Sequence, residues 1–167
     1  MKASFSRLPQ YVPLLTIIGL AVLGSLALAM KGPSQHSLNR VMHDFMGLFL
    51  LHFSALKLFN VKGFAKGFAK YDLLAMRWKR WGIIYPFFEL VLALGYLAGG
   101  ATWVYIATFV VMGFGATGVI IALQKGLNTN CACLGSTLKV PLSTIAVTEN
   151  ISMVVMSIFM YYTASLA

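Results

Sequence analysis

Apolar residues fall into five runs along the chain, at about 12–30, 41–60, 83–100, 102–123 and 142–165. Each has roughly the length a helix needs to cross the hydrocarbon core of a bilayer. The pattern predicts an all-α membrane protein, a compact bundle of five transmembrane helices forming a single domain over 1–167. The third and fourth runs are joined by little more than Gly99-Gly100, which makes them an antiparallel hairpin. In the fourth, Gly113, Gly115, Thr117 and Gly118 offer small surfaces for close helix contact. The first run follows Lys2 and Arg7, and its Ala27-Leu28-Ala29 resembles the small-residue cleavage site of a signal peptide. Its apolar core is long for a signal, which favours a retained first helix.

Between the second and third runs lies a basic segment, 61–82, with Lys62, Lys66, Lys70, Arg77, Lys79 and Arg80 against a single Asp72. Lys62-Gly63-Phe64-Ala65 is followed at once by Lys66-Gly67-Phe68-Ala69. On a helix Phe64, Phe68 and Tyr71 share one face and the three lysines the other. That is the pattern of one amphipathic helix lying in the membrane interface, with Trp78 and Trp81 as aromatic anchors. Asp72 is placed to dock this segment onto the bundle through a basic residue.

Composition agrees with the pattern. Of 167 residues, 59% are hydrophobic and 10% charged, and the mean hydropathy of +0.82 is far outside the soluble range. The net charge of +9 would suit nucleic acid, but the cations sit between apolar runs, where anionic lipid and the positive-inside rule explain them better. No nucleic acid partner is expected, and the sequence has no phosphate-binding glycine loop or zinc-type cysteine spacing. The basic segment and the loop at 124–141 are separated by two crossings and so share one side. Positive-inside reasoning makes that side cytoplasmic in a multi-pass protein of the bacterial inner membrane.

That loop holds the only two cysteines, in Asn130-Cys131-Ala132-Cys133-Leu134-Gly135. A Cys-x-Cys pair can form one disulfide, bind one soft metal, or make a mixed disulfide that the second sulfur resolves. A disulfide closing so small a ring departs from relaxed geometry and is easily reduced, which suits exchange better than stapling. Lys125, Lys139 and a helix N-terminus after Pro141 favour the reactive thiolate.

Ionisable residues inside membrane helices are costly and are functional candidates. If the second helix runs inward and the third and fifth outward, Lys57, Glu89 and Glu149 all lie in the half nearer the cysteines. Two carboxylates facing one lysine leave a negative charge, which a proton or His52 can offset. A bridge from Lys57 to Glu89 that only fixes packing accounts for the same residues. Asn150 can hydrogen-bond a neighbouring helix, while His43 and Asp44 fall at the opposite end, facing the outer headgroups. Met153, Met156 and Met160 share a stripe with Glu149. With Cys131 and Cys133 they would suit Cu(I) or Hg(II), the alternative reading as a soft-metal binding or transport protein. Methionine is more often an adaptable packing residue.

The stretch Lys57 to Leu74, Tyr85-Pro86-Phe87-Phe88-Glu89, and Cys131-Ala132-Cys133-Leu134-Gly135 followed by Pro141 and Glu149-Asn150 resemble the MauE/DoxX group of redox-associated membrane proteins. The similarity runs from about Val41 onward. It implies a four-helix DoxX-like core with the first run as an added helix. It also implies thiol and disulfide handling, like that ascribed to MauE in maturing the disulfide-rich small subunit of methylamine dehydrogenase. Cys131 and Cys133 would be the redox pair of a thiol-disulfide oxidoreductase, with Glu89 and Glu149 in its polar surroundings. Because two cysteines hold one disulfide, turnover would need a thioredoxin-like or disulfide-containing protein partner, or a quinone.

Overall fold

The computed structural model describes residues 8–30, 38–126 and 144–165, and among them the chain is helical with no strand. The helices are α1 (Leu8–Ala29), α2 (Leu38–Phe59), α3 (Val61–Phe68), α4 (Leu73–Arg77), α5 (Trp81–Leu97), α6 (Thr102–Gln124) and α7 (Thr144–Ser165). By length and composition α2 and α6 can cross a membrane, and Leu14–Ala29 and Trp81–Leu97 are shorter apolar helices.

In α2, His43, Met46, Gly47, Leu50, Phe53, Ser54 and Lys57 recur three or four residues apart and are all buried. The spacing puts them on one helix face. α5 carries a matching buried stripe of Gly82, Tyr85, Pro86, Glu89, Leu92, Ala93 and Tyr96. The two helices run antiparallel, so Lys57 meets Glu89 at one end and His43 meets Tyr96 at the other. Gly47 permits their close approach, since a Cβ there would lie 2.6 Å from Leu97 Cγ and 3.1 Å from the Ala93 carbonyl oxygen.

α1 packs along α2, while α6 and α7 make the second close pair, and α7 also touches α2. The α5–α6 hairpin turns through Gly99 and Gly100, whose φ values of 104° and 67° favour glycine. Its two arms touch less extensively than α2 with α5 or α6 with α7, because α5 spends its buried stripe on α2 and α3. The main core gathers Leu50, Phe53, Leu92, Tyr96, Val104 and Met160 among others, and a second cluster packs Phe64, Phe68 and Tyr71 against Tyr85, Val119 and Ala122.

The outer surface is apolar: Leu15 and Leu23 on α1, Phe87 and Val91 on α5, Phe109 and Val110 on α6, and Val155 on α7 are all exposed. The four carboxylates lie inside, with Asp44, Asp72 and Glu89 buried and Glu149 half-buried. A chain that hides its carboxylates and exposes leucine, valine and phenylalanine is arranged for a lipid surround.

The single amphipathic helix expected over 61–82 is instead two short helices. Asn60 Oδ1 accepts the Gly63 N–H at 2.9 Å and starts α3; Asp72 Oδ1 accepts the Ala75 N–H at 2.8 Å and starts α4. Burial pushes the Asp72 carboxyl above its usual range, and the hydrogen bonds from Ala75 and Leu74 oppose that shift. Asp72 therefore serves as a cap, and the segment docks through Phe64, Phe68 and Tyr71 and through a close backbone contact at Gly118, where a Cβ would lie 2.8 Å from the Tyr71 carbonyl oxygen. The aromatic face also differs from expectation. Phe64, Phe68 and Tyr71 point into the bundle, not into the headgroup layer. Of the small residues on α6, Gly115 and Gly118 meet neighbours, Gly113 has nothing within 4 Å of a Cβ, and the exposed Thr117 hydroxyl donates to the Gly113 carbonyl.

Gly118→Ala should separate α6 from the Tyr71–Leu73 backbone and cost about 1–3 kcal/mol of stability. Gly113→Ala should be neutral or stabilising by up to about 1 kcal/mol. Thermal unfolding in detergent distinguishes the two.

Candidate functional site

Two helices supply the centre of the site. Lys57 lies near the end of the buried stripe of α2 and Glu89 midway along that of α5, and each is only 3% exposed. Lys57 Nζ donates to Glu89 Oε1 at 2.7 Å and to Oε2 at 2.6 Å. Three rings surround the ammonium, with centroids 5.0 Å (Tyr85), 5.6 Å (Phe64) and 5.7 Å (Phe53) from Nζ. Desolvating both charges is costly, and the bidentate contact together with the ring faces offsets part of that cost.

A cavity of about 20 Å³ adjoins the pair, with polar walls formed by Lys57, Glu89, Glu149, Asn150, Tyr71 and Tyr85. Phe64, Phe68, Met112, Gly115 and Val119 complete it. Its volume holds about one water molecule. Gly115 leaves room for Asn150, whose Oδ1 would lie 3.3 Å from a Cβ there. The second carboxyl, Glu149, thus borders the same space as the Lys57–Glu89 pair. With polar groups from α2, α5 and α7 around one water-sized space, the arrangement can hold and exchange a proton out of bulk solvent.

His52 stands apart. It lies on another face of α2, half-buried, and its Nδ1–H donates to the Leu48 carbonyl at 2.6 Å. Cys131 and Cys133 lie outside the described residues. Their connection runs from the end of α6, which supplies Val119, to the start of α7, which supplies Glu149. Met153 and Met160 are buried in the main core and Met156 packs against it, so this stripe serves packing. Among the described residues no three His, Cys, Asp or Glu side chains are grouped to hold a metal.

At the opposite end the structure holds a cluster that the sequence reading placed among the headgroups. His43 and Asp44 are buried, not facing outward. The His43 Nδ1–H donates to the Asn39 carbonyl at 2.7 Å, and Nε2 lies 2.6 Å from the Tyr105 hydroxyl, itself 3.2 Å from the Gly100 carbonyl. The rings of His43, Tyr96 and Tyr105 form a triangle with centroids 5.7–6.2 Å apart. The Tyr96 and Thr108 hydroxyls are buried without a hydrogen-bond partner among the described residues. Asp44 is paired with Arg40 at 3.5 Å. The signal was present in the sequence: His43 is in helical register with Lys57 on the α2 stripe.

Residues 35–163 match the family described as Methylamine utilisation protein MauE. The chain belongs to the MauE family. The match takes in α2 to α7 almost entirely, and hence every residue of the cavity, and leaves out α1. Comparison with curated proteins and with solved structures returned no match. This MauE-family chain is therefore a membrane protein associated by family with methylamine utilisation.

Lys57→Met or Glu89→Leu alone should cost about 3–5 kcal/mol, because each leaves one buried charge uncompensated. The Lys57→Met/Glu89→Leu double variant should recover most of that loss. Chemical unfolding of the three variants in detergent tests the coupling.

Proposed function

We propose that this protein exchanges disulfides through Cys131 and Cys133 as a five-span protein of the bacterial inner membrane. The observation that carries the reading is the Cys-x-Cys pair in the connection between α6 and α7. That connection joins the bundle at the end where Lys57, Glu89, Glu149 and Asn150 gather. In this arrangement α2, α5, α6 and α7 form a four-helix DoxX-like core and α1 is an added span. With α5 and α6 crossing in opposite directions, the basic α3–α4 segment and the cysteine connection share a side, and their cations support the cytoplasm as that side.

The thiolate of one cysteine attacks a partner disulfide; a new S–S bond forms as the partner's breaks, and one partner sulfur leaves as a thiolate that takes up a proton. The second cysteine then displaces the remaining partner sulfur. The protein ends as a disulfide and the partner as a dithiol, with two electrons transferred. A thioredoxin-like protein restores the dithiol, and in the reverse direction a quinone is the electron acceptor. Lys125 at the end of α6 and Lys139 within the connection favour the thiolate. The cavity groups supply buried polar surroundings and a place for a proton near that chemistry. The proposed partner is a disulfide-containing protein, and the family description supports methylamine utilisation as the setting.

Cys131→Ser/Cys133→Ser should abolish exchange with a disulfide-containing partner while leaving the folded bundle intact, measured as thiol release from the partner in reconstituted vesicles. Undiminished release by the double variant would exclude the proposed role.

A further inference from the structure

The four Asp and Glu side chains are buried or half-buried, whereas among the described residues every Lys and Arg other than Lys57 is exposed. The imbalance is concentrated on one surface. Lys62, Lys66 and Lys70 are exposed along the outer face of α3 and the turn after it, and Arg77, Lys79 and Arg80 are exposed at and after α4. The acid within this segment, Asp72, is buried and committed to the α4 cap. The surface is thus cationic, with no exposed Asp or Glu side chain among the described residues to neutralise it.

Its surroundings identify what neutralises it. Met76 and Trp78 are exposed among these cations, and directly beyond Arg80 the exposed row Ile83, Ile84, Phe87 and Val91 runs up α5. The cations therefore border the apolar surface of the bundle, the arrangement expected where headgroup phosphates meet hydrocarbon. A soluble acidic protein would leave Met76, Trp78 and the start of the α5 row without an apolar cover, whereas a phospholipid supplies phosphate and acyl chain together.

We infer that the outer face of α3 and α4 is a binding surface for anionic phospholipid headgroups. The tandem Lys-Gly-Phe-Ala repeat then has two jobs: its lysines face the phosphates, and Phe64 and Phe68 form walls of the cavity, Phe64 also lying against Lys57. Lipid bound on the outer face holds the helix that closes the buried site, and binding to the folded state raises stability by mass action.

The test uses the full chain in nanodiscs of phosphatidylglycerol or of phosphatidylcholine, with retained lipid counted by native mass spectrometry and stability followed by thermal unfolding. Wild type should retain phosphatidylglycerol over phosphatidylcholine by about tenfold or more and unfold at a higher temperature in it. The preference should shrink as ionic strength rises. Lys62→Gln/Lys66→Gln/Lys70→Gln should lose most of the preference, and the triple Lys→Arg variant should keep it. Equal retention of the two lipids by wild type, or a preference insensitive to salt, overturns the inference even if the glutamine variant fails to fold. An undiminished preference in a folded glutamine variant overturns it as well. Retention of soluble polyglutamate without any lipid preference would assign the surface to a protein partner and likewise overturn it.

Discussion

The Lys57–Glu89 contact fixes α2 against α5. Two desolvated charges tolerate no slippage: moving either helix by one turn, about 5.4 Å, would strand an ammonium and a carboxylate in apolar surroundings. The pair need not add net stability to have this effect, since an apolar pair of the same shape could pack as well or better. Its consequence is register. With Lys57 and Glu89 held, Gly47 comes against Leu97, His43 comes against Tyr96, and the remaining helices pack on a pair whose alignment is set.

The same contact explains the shape of the basic segment. An ammonium in a membrane bundle needs more than one carboxylate around it, and the ring faces of Phe53, Phe64 and Tyr85 supply the rest of its shell. Phe64 belongs to α3, so α3 must lie on the bundle with its aromatic face inward. It reaches that position because Asn60 caps its start and because Gly82 in α5 admits its backbone, with Ala65 Cα 3.1 Å from where a Cβ would stand. Gly118 in α6 does the same for the turn that follows. The helix that carries the lysines outward is thus also the helix that closes the cavity.

Much of this was legible in the sequence, and the limits have physical causes. Local composition and length mark out α2 and α6, and the Gly99-Gly100 turn marks the hairpin between α5 and α6. The alternating run of the helices sets Lys57, Glu89 and Glu149 at one level, and the cavity has all three on its wall. The break between α3 and α4 had a local signal that was missed, the Asp72 cap; the contact of that turn with Gly118, over 40 residues away in the chain, was not legible. The orientation of Phe64, Phe68 and Tyr71 was equally hidden: an amphipathic helix buries its aromatic face in lipid or in protein with the same pattern. His43 and Asp44 were assigned to the headgroups from their place near a helix end. Their register with Met46, Leu50, Phe53 and Lys57 on the buried face of α2 outweighs that position.

In the proposed function the buried polar site and the thiols of the α6–α7 connection act together. Glu149 and Val119 border the cavity from the two helices that the connection joins. Side-specific alkylation of the two cysteines in intact cells and inverted vesicles, across a graded thiol–disulfide buffer, tests this most directly. If the proposed exchange is right, both thiols lose reactivity together as the buffer becomes oxidising, recover together on reduction, and are reached from the cytoplasmic face. Reactivity that stays unchanged across the whole redox range would contradict it.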